Sequence, residues 1–228
     1  MQWIQAEVLD KDGNFYTENM RAAKTTSTFI LNGDGTETFE PRHTFYGFRY
    51  IKIEGLEGEL RLEDFEAIPI CSGFDRIGEF SSSNPIINQL QHNIEWGFWG
   101  NFVDVPTDCP QRDERLGWTG DAQVFFRTAS FLGKVDNFFN KWLSDLKADQ
   151  RHDGRVPRII PDTYSNGDYR TAATGWADAS VIIPWNHYMA FGNVNILEQQ
   201  YNSMKGWVDY MVSQSKDRGW LWNNGSHY

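Results

Sequence analysis

The chain has 228 residues, 40% of them hydrophobic, which is enough for one large or two modest domains with buried cores and gives no sign of disorder. Its net charge of -10, with Lys and Arg scattered along the sequence, argues against nucleic acid or any other polyanionic partner. Cys71 and Cys109, without CxxC spacing, exclude a disulfide framework and a zinc ribbon and leave at most one isolated disulfide. The start, MQWIQAEVLDKDG, has no basic region followed by an apolar core, and no window approaches eighteen apolar residues. That favours a soluble, cytoplasmic chain with no membrane span, unless Met1 is not the natural start.

Up to about residue 80 the signals are for strands. Residues 28–31 (TFIL) run into the NGDG turn at 32–35, residues 36–39 alternate, and residues 45–53 alternate again before Gly55. Residues 59–62 and 65–70 continue the pattern, and short strands with such turns predict an antiparallel sheet belonging to a β-sandwich. At SSSNP, residues 81–85, the period changes. Asn84 is a good N-cap with Pro85 at the first helical position, and Ile86, Ile87, Leu90, Ile94 and Phe98 recur at helical spacing. Helices are predicted near 84–100, 121–132, 135–149, 176–191 and 195–214. The connections at 101–120 and 150–175 are long, whereas those at 133–134 and 192–194 are short. In an array of antiparallel helices this alternation puts both long loops at one end, where they can line one pocket, and loops of that length are usually functional.

The first long loop holds most of the chemistry. Asp108, Asp113, Glu114 and Asp121 lie within fourteen residues, interleaved with Arg112, Arg115 and Trp118. Acidic loops usually sit in water, Asp121 can simply cap the next helix, and Arg–Asp neighbours often form surface pairs of little weight. Against that, Pro106, Pro110, Gly117 and Gly120 fix the backbone, and Trp118 is an expensive residue for a purely solvated loop. Carboxylates beside guanidiniums and an indole suit a sugar-cleaving pocket: charge to move protons, partners for hydroxyls and a flat face for the ring.

Other chemistries find less support. The five histidines, His43, His92, His152, His187 and His227, show no HExxH or paired spacing, so no metal site is expected, and His187 reads as a packed core residue. The acids lack the D-x-D-x-D-G calcium pattern, and there is no GxSxG or Gly-rich phosphate loop. Phe125, Phe126 and Phe131, and Phe138, Phe139 and Trp142, fall at helical spacing and read as core; only Trp118 and Trp176 read as sugar platforms. Asp178 is divided between binding substrate and capping its helix, with capping favoured, and Asp113 is read as orienting Arg112 or the loop backbone.

Four segments carry a resemblance: DCPQRDERLGWTGDAQVF at 108–125, GRVPRIIPD at 154–162, GWADASVIIPW at 175–185, and YTENMRAAKTTSTFIL with FYGFRYIKIEG within 16–55. Together they resemble the inverting bacterial α-L-rhamnosidases over nearly the whole chain. The resemblance implies an α+β multidomain fragment, truncated at both ends: residues 1–80 as the end of an antiparallel β-sandwich domain and 81–228 as the first part of a catalytic (α/α)6 barrel. It implies no cofactor, and a rhamnose-containing glycoside or polysaccharide as the molecular partner.

By motif, Glu114 is the implied general acid, Asp108, Arg112 and Asp121 hold rhamnose hydroxyls, and Trp118 and Trp176 pack on the apolar side of the sugar. A general acid must keep its proton near neutral pH; the acids around Glu114 favour that, while Arg112 and Arg115 oppose it. Inversion also needs a second carboxylate, roughly 6.5–9.5 Å from the acid, to activate water. The family takes that base from a loop late in the barrel, so the 228-residue piece is expected to be inactive. A barrel stopped partway is also expected to leave apolar faces, as around Trp207, Tyr210 and Met211, which favours marginal stability or homo-oligomers. The competing readings are a non-catalytic carbohydrate-binding or structural module, and another (α/α)6 sugar enzyme such as a lyase.

Overall fold

A computed structural model describes residues 1–163 and 172–222. The chain divides into two compact units, Met1–Pro69 with Cys109–Arg115, and Ile70–Asp108 with Leu116–Tyr228.

The first unit contains strands β1 (Gln2–Ala6), β2 (Val8–Leu9), β3 (Phe15–Tyr16), β4 (Thr26–Thr28) and β5 (Tyr50–Glu54). β1 is the centre of a three-stranded antiparallel sheet, with Trp3 opposite Ser27 on β4 and Ile53 on β5. β2 and β3 form a hairpin whose turn is closed by Asp10: its Oδ1 accepts from the backbone N–H groups of Asp12 at 2.9 Å and Asn14 at 2.8 Å. Beside the sheet, Phe29 stacks on Phe39 at 4.7 Å and Trp3 meets Phe39 edge-on at 5.4 Å.

Fewer strands form here than the alternation predicts. Of residues 28–31 only Thr28 lies in a strand, although Phe29 exchanges backbone hydrogen bonds with Met1; of 45–53 only the segment from Tyr50 onward does, and no strand forms at 36–39, 59–62 or 65–70. At the NGDG turn the Glu37 carboxylate accepts from the N–H groups of Asn32, at 2.8 and 3.1 Å, and Gly33, at 3.2 Å. At 61–64 the Arg61–Asp64 ion pair closes a 3-10 turn. The N–H groups of Asp64 and Phe65 turn back to the carbonyls of Arg61 and Leu62, both at 3.1 Å, and so are not offered to a neighbouring strand. The central strand β1 was itself not assigned from sequence.

The second unit is helical: α1 (Pro85–Asn101), α2 (Thr119–Leu132), α3 (Asp136–Asp149), α4 (Ala179–Phe191) and α5 (Asn195–Ser215). Between α1 and α2 lies a small hairpin, β6 (Phe102–Val103) and β7 (Val105–Pro106). The N-terminus of α1 is built as its sequence reads, with the Asn84 side chain accepting from the N–H of Ile86 at 2.9 Å and Pro85 in the first turn. Phe126, Phe139, Trp142, Leu143, Ile183 and Trp207 are all fully buried and belong to one core cluster. His187 is buried with them, its Nε2–H 3.1 Å from the Asp136 carbonyl oxygen.

Several packing expectations need correction. Phe131 is 65% exposed, because it points away from the face that Phe126 and Ala129 bury. Trp207 is fully buried, stacked on Tyr210 at 5.9 Å, with Trp222 at 5.8 Å. Apolar exposure falls instead on Ile86 and Leu90 of α1, Trp185 and Met189 of α4, and Tyr201 of α5. Cys71 and Cys109 are not joined in a disulfide. Among the described residues, no helix is long and apolar enough to cross a membrane.

Candidate active site

Within the helical unit the two long connections meet. Trp118 and Ile159 form an antiparallel bridge, the Ile160 N–H donates to the Gly117 carbonyl at 2.8 Å, and the Thr119 N–H donates to that of Arg158 at 2.8 Å. Gly117 is required for this approach, since a Cβ there would lie 2.1 Å from the Ile160 oxygen, the same oxygen that accepts from Trp142 Nε1 at 3.1 Å. Gly154, at φ +94°, seats the second loop on α5; a side chain would meet the Gly206 carbonyl oxygen at 2.2 Å. The two long loops, expected at one end of the helical array, are thus in direct backbone contact.

These contacts place Trp118, Asp121 and Trp176 on one neighbourhood of the unit. Trp118 stands at the N-cap position of α2 and Asp121 in its first turn, exposed, so Asp121 is not the helix cap. Trp176 is half-buried, with Gly120 so close that a Cβ would come 3.1–3.2 Å from its indole. Arg158, only 8% exposed, lays its guanidinium over the same ring at 5.7 Å. Sequence reading gave Arg158 no role; its signal, GRVPRIIPD, does not reveal which ring it covers.

Asp108 closes the base of the acidic loop, its N–H donating to the Leu116 carbonyl at 3.0 Å. Asp178 occupies the N-cap position of α4, but its carboxylate makes no cap. It accepts from the Gly175 N–H at 2.8 Å and from Trp207 Nε1 at 2.9 Å, which ties the turn before α4 to α5. Asp162 is ion-paired with Arg151, and its own N–H donates to Asp149 at 2.7 Å.

The seven residues Cys109–Arg115, which carry Glu114 and Arg112, belong to the first unit. There Glu114 Oε2 accepts from Arg112 Nη2 at 2.7 Å and from Arg21 Nη2 at 3.0 Å, with about a third of the Glu114 side chain exposed. Arg112 is fixed at its other edge by Cys109, whose sulfur lies 3.1 Å from Nε. The Cys109 sulfur first, and then Glu114, hold the Arg112 guanidinium above its ordinary range. Asp113 lies 3.6 Å from Arg21 Nη1, so its cation partner is Arg21 rather than the Arg112 that its position suggested. Gly47 is what lets the segment lie close, since a Cβ there would come 3.1 Å from that of Gln111.

Two family models match the chain in succession, the bacterial α-L-rhamnosidase concanavalin-like domain over residues 1–71 and the bacterial α-L-rhamnosidase 6 hairpin glycosidase domain over residues 75–228, so the segment Cys109–Arg115 falls in the second match while belonging to the first compact unit. An α-L-rhamnosidase of Formosa agariphila is 44% identical over 214 residues, 93% of this chain and 23% of that protein. One of Streptomyces avermitilis is 41% identical over 92% of this chain and 20% of its own length. Among solved structures, the α-L-rhamnosidase from Dictyoglumus thermophilum superposes with a TM-score of 0.87 at 37% identity, covering 95% of this chain and 24% of that one. The Streptomyces avermitilis α-L-rhamnosidase complexed with L-rhamnose superposes with a TM-score of 0.81 at 39% identity, covering 94% and 20%. The chain thus spans about a fifth to a quarter of the relatives it matches. Two adjoining domain matches in the family's own order, together reaching from residue 1 to residue 228, establish that the chain belongs to the bacterial α-L-rhamnosidases.

Proposed function

We propose that this chain supplies the acid half of a glycosidase site that releases terminal α-L-rhamnose from rhamnose-containing glycosides or polysaccharides with inversion at the anomeric carbon. The reading takes residues 1–80 as the end of a β-sandwich domain and 81–228 as the first part of the catalytic barrel. Glu114 is the general acid. As the bond between the rhamnose anomeric carbon and the glycosidic oxygen breaks, Glu114 gives that oxygen its proton, and water adds to the carbon from the opposite face while losing its own proton to a second carboxylate. Asp108, Arg112 and Asp121 hold the sugar hydroxyls, and Trp118 and Trp176 cover its apolar side, including the C6 methyl group.

The observation that carries this reading is the setting of Glu114: partly exposed, in a segment fixed at both ends, with charged donors on one of its oxygens. Both guanidiniums address Oε2, so in this reading the transferable proton sits on Oε1. The carbonyl-like Oε2 of a protonated acid still accepts their N–H groups, and the same donors then stabilise the carboxylate left after transfer. The base comes from a part of the relatives' length that these 228 residues do not match, so the 228-residue polypeptide alone is proposed not to turn over substrate.

The test is Glu114→Gln in a turnover-competent rhamnosidase that carries this sequence. Turnover of an alkyl α-L-rhamnoside should fall roughly 10²- to 10⁴-fold. A nitrophenyl rhamnoside, whose leaving group needs less proton assistance, should lose much less. Equal rates for variant and parent on the alkyl substrate would remove Glu114 from the mechanism. Turnover by the 228-residue polypeptide would overturn the assignment of the base elsewhere.

A further inference from the structure

We propose that Arg21, in the N-terminal unit and 93 residues from Glu114 in sequence, is a positioning residue for that carboxyl. It would hold Oε2 and support the negative charge that develops as the proton leaves. This rests on the reading of Glu114 as the acid.

Arg21 Nη2 donates to Glu114 Oε2 at 3.0 Å while Nη1 lies 3.6 Å from Asp113 Oδ1, so one guanidinium spans two consecutive carboxylates of the acidic segment. Arg112 reaches the same Oε2 from within the segment itself. A carboxyl held from two directions has little freedom to rotate about its last torsion, and Oε1 then keeps one bearing.

The backbone at Arg21 makes the same point independently. Arg21 ends the 3-10 turn Glu18–Met20 at φ 55°, ψ -122°, in the half of conformational space that glycine occupies readily and a side chain rarely does. Its N–H closes on the Glu18 carbonyl, and Met20 beside it is 2% exposed, so the turn is anchored. A glycine would suit this backbone better, yet the position carries a long cation that is half exposed. Strain of this kind is tolerated where a side chain is needed in one place. An exposed ion pair adds little to stability, so the conformation is not explained by folding energy.

The charge logic gives the expected kinetics. As Glu114 gives up its proton it becomes anionic, and a guanidinium at 3.0 Å is worth more to that state than to the neutral acid. Removing Arg21 should therefore lower kcat and leave KM nearly unchanged.

The experiment compares Arg21→Met, Arg21→Lys, Arg21→Gly and Glu114→Gln in the turnover-competent rhamnosidase, with an alkyl rhamnoside as substrate. Arg21→Met should lower kcat roughly tenfold with KM within about twofold. Arg21→Lys, which keeps a charge, should recover most of kcat. Arg21→Gly should match Arg21→Met in kcat while melting at a higher temperature, because its backbone is relieved; that parting of activity from stability is not expected of a merely structural residue. Parent-like kcat in Arg21→Met, with Glu114→Gln inactive, would overturn this inference and leave the acid assignment standing. A rise in KM at constant kcat would overturn it too, since Arg21 would then be binding substrate. An active Glu114→Gln would remove the acid assignment and this inference together.

Discussion

The two units reach order by different means. In the helical unit a cluster of buried aromatic and aliphatic side chains, with Phe126, Phe139, Trp142 and Trp207 fully inaccessible, fixes the helices and the loops between them. In the N-terminal unit the buried apolar side chains among the described residues are Ala6 and Met20, and order comes from a three-stranded sheet, a partly exposed aromatic group and local carboxylate–backbone bonds. Yet the N-terminal unit contains the residues with which Glu114 forms its ion pairs. Slight burial keeps these charged groups reachable by water, and it leaves their orientation to discrete bonds and backbone constraints rather than to packing.

The sharpest way to break this contrast is to remove a large ring from each side. Trp142→Ala takes away a fully buried indole together with its bond to the Ile160 carbonyl, and should cost about 3–5 kcal/mol. Phe39→Ala removes a half-buried ring from the group with Phe29 and Trp3, and should cost about 1 kcal/mol. Urea unfolding of the 228-residue protein followed by its helical circular dichroism measures both. Equal shifts of the helical transition in the two variants would show that the N-terminal unit depends on its rings as heavily as the helical one does.

A second pair of changes tests how the loops are seated. Gly117→Ala sets a Cβ against a backbone oxygen that cannot step aside, and should destabilise by about 2 kcal/mol as the Gly117–Ile160 bond opens. Gly120→Ala meets only the ring of Trp176, at 3.1–3.2 Å, which can yield by a few tenths of an ångström. Its effect on stability should stay under about 1 kcal/mol. Because Trp176 is proposed to face the sugar, KM for rhamnosides in the turnover-competent enzyme should rise several-fold. A Gly120→Ala enzyme with parent-like KM would take Trp176 out of the proposed sugar contacts.

How far the sequence could be read follows the same division. Helices show in the spacing of their apolar residues because each helix makes its own backbone bonds; α1, α3 and α5 begin and end within a residue of where the pattern and the Asn84–Pro85 signal put them. α2 begins earlier than predicted, at Thr119, whose N–H and hydroxyl both reach the Arg158 carbonyl 39 residues away. Strands depend on partners that a pattern does not name: alternation over 36–39 and 65–70 marks segments that form no strand among the described residues, and the pattern does not show the central strand β1. The site divides likewise. Glu114 and Arg112 are legible because they sit in one short run, whereas Arg21 against Glu114 and Arg158 against Trp176 are juxtapositions that only the fold creates.

The smallest expected effect concerns the helical core and pH. Burial is the main reason that the imidazole of His187 is held below its ordinary value; the Asp136 carbonyl and the Asp136 charge pull the other way without prevailing. A carbonyl oxygen only accepts, so the neutral ring carries its hydrogen on Nε2, and Nδ1 is buried with no hydrogen-bond partner among the described residues. Protonating Nδ1 would place a charge among Phe126 and Phe191. In the unfolded chain the same imidazole takes up a proton at about pH 6.5. Above that value neither state is charged and His187 adds no pH dependence. As pH falls below it, the unfolded chain binds a proton that the fold refuses, and stability declines until the lowered folded value is passed. His187→Gln, which keeps a donor for the Asp136 carbonyl but cannot be protonated, should therefore flatten the loss of urea resistance between about pH 7 and 5 relative to the parent. An unchanged slope would mean that the imidazole charges inside the fold, and that the aromatic core around it opens far more readily than its packing implies.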